Sequence, residues 1–121
     1  MLAAYLVIAC NRPSGERTGG GTSMAAPDSL ELAAGAELYR FHCQGCHGTA
    51  ASGTDRGPPL VHQIYRPDHH SDAAFYLAVE LGVRAHHWRF GDMPPIPSLD
   101  RQQVKKIVAY VRSLQREEGI F

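Results

Sequence analysis

The chain has 121 residues, 44% of them hydrophobic, and its twelve Lys and Arg balance twelve Asp and Glu for a formal net charge of 0 with seven His counted as neutral. That length holds one modest domain, whose small core gains from a bound metal or prosthetic group. The charge balance argues against a nucleic-acid binder, which would carry a net basic face for phosphates, and three cysteines, Cys10, Cys43 and Cys46, fit no disulfide framework.

The chain opens MLAAYLVIAC, an apolar run too short to span a bilayer, for which a helix needs about 20 residues. It matches the apolar region of a secretory signal. Val7, Ile8, Ala9 and Cys10 resemble a bacterial lipobox, in which small residues precede a cysteine that is lipidated and becomes the mature N-terminus. Valine stands where leucine is commonest, and no Lys or Arg precedes the run, as expected of a start lying inside a longer signal. Residues 11–27, rich in Gly, Ser, Thr and Pro, read as a flexible tether. The expected organisation is therefore a signal-like segment at 1–10, a tether at 11–27 and a domain at 28–121, held beside a membrane through Cys10.

Asp28 to Glu31 has the form of a capping box after Pro27 and predicts a helix start. Leu32, Gly35, Tyr39 and Cys43 follow at helical spacing, so the buried stripe includes Gly35 and the cysteine pair falls at the helix end. Residues 45–67, with GPPL at 57–60, read as loop. A second helix is expected from Ser71 or Asp72 through Phe75, Ala78, Val79 and Leu81, stopped by Gly82. RAHHWRFGDMPPIP, residues 84–97, is again loop. Asp100 with Gln103 forms a second capping box, and Val104, Ile107, Val108, Val111 and Leu114 make the stripe of a terminal helix to about Gln115, with Tyr110 at its side. No stretch alternates as a strand should, so the fold class is all-α.

Residues 43–47, CQGCH, concentrate the chemistry. Zinc wants four ligands, commonly two cysteine pairs or one pair with two spaced histidines. No second cysteine pair exists, and His69-His70 and His86-His87 are adjacent rather than three to five apart. A redox dithiol wants its first cysteine at a helix N-terminus after a strand, where the helix dipole lowers the thiol pKa, whereas this pair ends a helix. The remaining option is covalent haem attachment, for which C-x-x-C-H is the signature. Thiols three residues apart can reach the vinyl groups of neighbouring pyrroles while the next imidazole comes under the iron. Met93, in GDMPP, is the only methionine outside the signal and tether, and offers a thioether for the iron's other face. Pro58 has no N–H and offers only a carbonyl, an acceptor for the second ring nitrogen of His47. Gly35 and Tyr110, a small residue and a large ring, could meet at a close helix crossing.

With these motifs in order, residues 28–116 resemble the class I mono-haem cytochromes c: GAELYRFHCQGCHG, then GPPL, then GDMPP, then VKKIVAYVRSL. The resemblance implies an all-α fold in which N- and C-terminal helices cross around one haem c. It implies thioether attachment at Cys43 and Cys46, proximal ligation by His47, distal ligation by Met93 and orientation of the His47 ring by Pro58. Leu60, Phe75, Val79, Ile107 and Val111 become candidates for the apolar surround. The HHWRF segment is richer in rings and charge than the family's simplest pattern. His86 or His87 could replace Met93 and give a bis-histidine iron. Trp88, Arg89, Tyr65 and Arg66 are candidate partners for the haem propionates, and Lys105 and Lys106 could steer an acidic redox partner.

The implied function is one-electron transfer without catalysis, between a redox donor and a redox acceptor, by a monomer exported to the periplasmic side of a bacterial membrane. Two alternatives belong to other classes: a fixed relay subunit inside a redox complex, and a gas sensor or enzyme if Met93 leaves the iron.

Overall fold

The computed structural model describes residues 27–121. Cys10, the 1–10 segment and the 11–27 tether up to residue 26 lie outside the described residues. The architecture is all-α, with helices α1 (Ser29–His42), α2 (Gln44–His47), α3 (Asp72–Leu81) and α4 (Arg101–Glu117). Among the described residues, no helix is long and apolar enough to cross a membrane.

Helix α1 starts where Asp28 accepts a hydrogen bond from the Glu31 amide at 2.7 Å, but only this half of the expected capping box forms. The Glu31 carboxylate instead lies 3.4 Å from the Lys105 ammonium of α4. At the start of α4 the box is complete: Asp100 accepts from the Gln103 amide at 2.8 Å, and the Asp100 amide donates back to Gln103 at 3.0 Å. Helix α4 runs two residues beyond the expected end. It closes with Gly119 left-handed at φ 69, the Gly119 amide bonded to Arg116 and the Ile120 amide bonded to Gln115 at 2.8 Å. Buried Ile120 seals this Schellman close.

Gly35 is the contact point of α1 and α4. A side chain there would drive into the Lys106 carbonyl and stand 3.0 Å from Tyr110 Cβ. Four residues on, the Tyr39 ring lies 5.5 Å from that of Tyr110. Tyr39, Cys43, Ala51, Ile107 and Val111 form one buried cluster, while Val79, Val104 and Val108 form a second between α3 and α4. Helix α4 thus packs against both α1 and α3, using the 3.6-residue stripe read from its sequence. Leu81, the last residue of α3, is 70% exposed. It immediately precedes Gly82, whose left-handed backbone turns the chain away (φ 76).

The segment after the cysteines departs from simple loop. Residues 44–47 complete a helical turn, and single 3₁₀ turns occur at Thr49–Ala51 and Gln63–Tyr65. The loop after α3 is pinned by one antiparallel pair, in which Val83 and Met93 exchange both backbone hydrogen bonds at 2.9 Å. This requires Gly82, because a Cβ there would sit 2.6 Å from the Met93 carbonyl oxygen.

Candidate cofactor site

A cavity of about 540 Å³ opens between the α1–α2 junction, α3, α4 and the loop from Val83 to Ile96. Cys43, Cys46, His47, Pro58 and Met93 all line it. The rest of its wall is mainly apolar, including Leu60, Phe75, Val79 and Ile107, and among the described residues no Lys, Arg, Asp or Glu contributes to it. Val111, expected in this surround, instead lies fully buried in the cluster around Tyr39. Its place on the α4 stripe turns it toward α1.

The α1–α2 junction sets the spacing of the donors. The Cys43 amide caps α1 by donating to Tyr39 at 2.8 Å, and the Cys43 carbonyl then accepts from both Cys46 (3.1 Å) and His47 (2.9 Å). One helical turn therefore carries both thiols and the imidazole. The Tyr39 hydroxyl donates to the Gly48 carbonyl at 2.8 Å and fixes the exit of that turn. From below, Thr54 donates to the Cys46 carbonyl at 2.6 Å, and Gly57 packs so closely that a Cβ would lie 2.7 Å from the same oxygen.

His47 Nδ1 lies 2.9 Å from the Pro58 carbonyl. A carbonyl can only accept, so Nδ1 carries the proton and Nε2 keeps its lone pair, the arrangement that orients a metal-bound histidine. Burial lowers the His47 pKa, with the Pro58 bond opposing, and this favours the neutral imidazole that a metal needs.

Cys43 and Cys46 are free thiols. Burial, reinforced by Cys46, pushes the Cys43 thiol up to about 11. A thiol so reluctant to ionise is a poor nucleophile, which argues against Cys43 as the attacking thiol of a dithiol pair. Zinc at the pair fares no better. Among the described residues, the group of three metal-binding side chains that converges is His69, His70 and His87, and it contains neither cysteine.

Of the candidate propionate partners, Tyr65 and Trp88 reach the cavity and two arginines do not. Arg66 pairs outside it with Asp68 at 2.6 Å, and Arg89 is exposed and absent from the wall. The Trp88 indole N–H is buried without a hydrogen-bond partner, although it stands near enough to the Tyr65 hydroxyl to oppose slightly the burial that raises that phenol's pKa. A buried donor left open on a cavity wall fits a ligand that carries an acceptor. Lys105 and Lys106 lie where α4 meets α1 and take no part in the cavity wall.

Two polar residues that the sequence reading passed over build the wall from behind. Arg112, 6% exposed, donates to Asp72 (2.8 Å), the Tyr65 carbonyl (2.7 Å), Gln115 (2.6 Å) and the His70 carbonyl (2.5 Å). Gln115 donates to the carbonyls of Leu60 (2.7 Å) and Tyr65 (3.1 Å). Their signal was positional: they stand four residues after Val108 and Val111 and continue the buried stripe.

Two thiols on one helical turn, an oriented imidazole and a thioether, all on one apolar cavity of an all-α domain, define a protein built to hold a covalent haem. The family model described as Cytochrome c matches residues 32–115. The chain belongs to the cytochrome c family, and that family implies covalently bound haem c. No curated protein and no solved structure matches the chain significantly.

Proposed function

We propose that the protein is a one-electron carrier holding a single haem c through thioethers to Cys43 and Cys46, with His47 and Met93 as axial ligands. The observation that carries this reading is the convergence of these four side chains on one cavity whose wall, among the described residues, contains no Lys, Arg, Asp or Glu. When bound, the haem supplies a one-electron iron couple.

The chain's own residues do the rest. Pro58 holds His47 in the tautomer that offers Nε2. The Val83–Met93 backbone pair positions the thioether. Leu60, Phe75, Val79 and Ile107 keep water and mobile charge away, which with a thioether ligand favours the reduced state and raises the potential. The Trp88 N–H supplies a donor to a propionate. If His47 and Met93 both held the iron, no position would be left open for a substrate, and this favours a carrier over an enzyme or gas sensor.

Docking would use the cavity mouth, where Leu77 is 54% and Phe90 38% exposed, through a small and short-lived interface. Donor and acceptor are redox proteins met on the periplasmic side of a bacterial membrane, with the domain at 28–121 a monomer tethered through residues 11–27 and a lipidated Cys10. A fixed relay within one complex would use the same residues.

His86 and His87 also line the cavity, which favours bis-histidine ligation as the second reading. Spectra and potential of the haem-loaded chain decide between them. Met93→Ala should abolish the ferric charge-transfer band of methionine ligation and lower the potential. An unchanged low-spin spectrum and potential would remove Met93 from the iron.

A further inference from the structure

A second set of ligand atoms lies at the cavity's edge, with His70 and His87 on its wall and His69 outside it. His69 and His70 come from the turn after Pro67, and His87 comes from the loop after α3, yet one ring nitrogen of each lies within 4.8 Å of the other two. Ring centroids stand 4.8 Å apart for His69 and His70, 5.2 Å for His70 and His87, and 5.5 Å for His69 and His87. His86 adds a neighbouring ring 4.3 Å from that of His87. Nothing in chain connectivity demands this meeting, since the two histidine pairs belong to separate irregular segments on either side of α3.

The scaffold is already ordered on one side. His70 Nδ1 lies 2.7 Å from the Ile64 carbonyl, so Nδ1 bears the proton and Nε2 presents a lone pair, the outer-shell contact typical of metal-bound histidine. The His70 carbonyl is held by buried Arg112 at 2.5 Å. The amides of His69 and His70 both donate to the Arg66 carbonyl, at 3.1 and 2.9 Å. His69 and His87 are exposed and free to turn.

We propose that His69, His70 and His87 form a site for one divalent transition-metal ion of the zinc and copper class, joining the turn at 66–70 to the loop that carries Met93. Three imidazoles and no carboxylate select such borderline ions over magnesium or calcium, and leave a fourth position for water. Nitrogens bound about 2.1 Å from a tetrahedral zinc lie about 3.4 Å from one another. The gap to be closed from 4.8 Å is within the reach of side-chain rotation at two exposed residues. The bound ion would draw the 84–92 loop onto the 66–70 turn at the cavity's edge, and because it binds only the folded chain it would stabilise that chain against unfolding.

The test is calorimetric titration of the haem-loaded chain, free of any affinity tag, with a zinc salt. The expected result is saturable uptake of one equivalent and a rise in melting temperature with zinc. Loss of an outer-shell partner alone costs about 10–100-fold in metal affinity, so His69→Ala and His87→Ala should each weaken binding at least about tenfold and abolish the thermal shift. His42→Gln, on α1, should leave the affinity unchanged. Absence of saturable uptake, or undiminished affinity in both alanine variants, overturns the site. The haem spectrum is recorded alongside: it should be the same with and without zinc and in His69→Ala, because His69 is exposed and absent from the cavity wall. A low-spin spectrum altered by His87→Ala would make His87 an iron ligand and overturn this proposal independently of the result for Met93.

Discussion

Tyr39 joins the core to the cofactor turn. It is 1% exposed, sets its ring at a tilt against that of Tyr110 and donates its hydroxyl to the buried Gly48 carbonyl just after His47. Tyr39→Phe keeps the packing but strands that carbonyl, so the haem-loaded chain should lose about 1–3 kcal/mol in guanidinium denaturation. The same residue shapes the alkaline limb of stability. Burial, with smaller contributions from Cys43 and Tyr110, holds its pKa above the ordinary tyrosine value. A raised folded pKa means that the unfolded chain releases the proton first, at pH about 10. The stabilisation is therefore complete below that pH and is lost as pH rises beyond it, at about 1.4 kcal/mol per pH unit for one proton. Tyr39→Phe should make that decline shallower, leaving a remnant from Tyr65, whose pKa burial also raises. Equal slopes in variant and parent would show that the Tyr39 phenol is not the group responsible.

At the scale of elements, α1 and α4 are joined through the absence of a side chain. Alanine at position 35 would place a methyl against the Lys106 carbonyl and 3.0 Å from Tyr110 Cβ, and neither backbone nor ring stem can yield without moving a helix. Gly35→Ala should cost about 1–3 kcal/mol despite alanine's better helix propensity, read as a lower denaturation midpoint with an unchanged far-ultraviolet spectrum. An unaltered midpoint would place the crossing elsewhere. This contact was legible because Gly35 interrupts a stripe of larger residues, and the two capping sequences marked both helix starts. The half-formed box at Asp28 was not legible, since Glu31 turns instead to Lys105, seventy-four positions away in the chain and adjacent only after folding. Arg112 and Gln115 were hidden for a related reason. Polar residue types ordinarily mark a solvated helix face, and here they are buried because the carbonyls of Leu60, Tyr65 and His70 belong to irregular chain and need donors from another element.

The whole molecule separates what spacing can encode from what folding must bring together. The meeting of Cys43, Cys46 and His47 on one turn was readable locally, and Met93 stood out because no rival methionine lies in the domain, while its place on the same cavity wall had to come from folding; the His69, His70 and His87 cluster was not readable, because adjacency within each pair concealed the approach between pairs. Charge shows the same division. The lysines at 105 and 106 suggested electrostatic steering, but folding sets them where α4 meets α1, while among the described residues no Lys, Arg, Asp or Glu lines the cavity and its mouth shows Leu77 and Phe90. Steered association changes rates by about 10–10³-fold and falls steeply with ionic strength. With a formal net charge of 0 and an apolar mouth, little of that lever exists here. Oxidation of the reduced haem-loaded chain by an anionic and by a cationic metal complex, followed by stopped flow from low to physiological salt, should therefore change less than about threefold for either reagent. A strong salt dependence of opposite sign for the two would reveal a charged docking field and shift the contact surface away from Leu77 and Phe90.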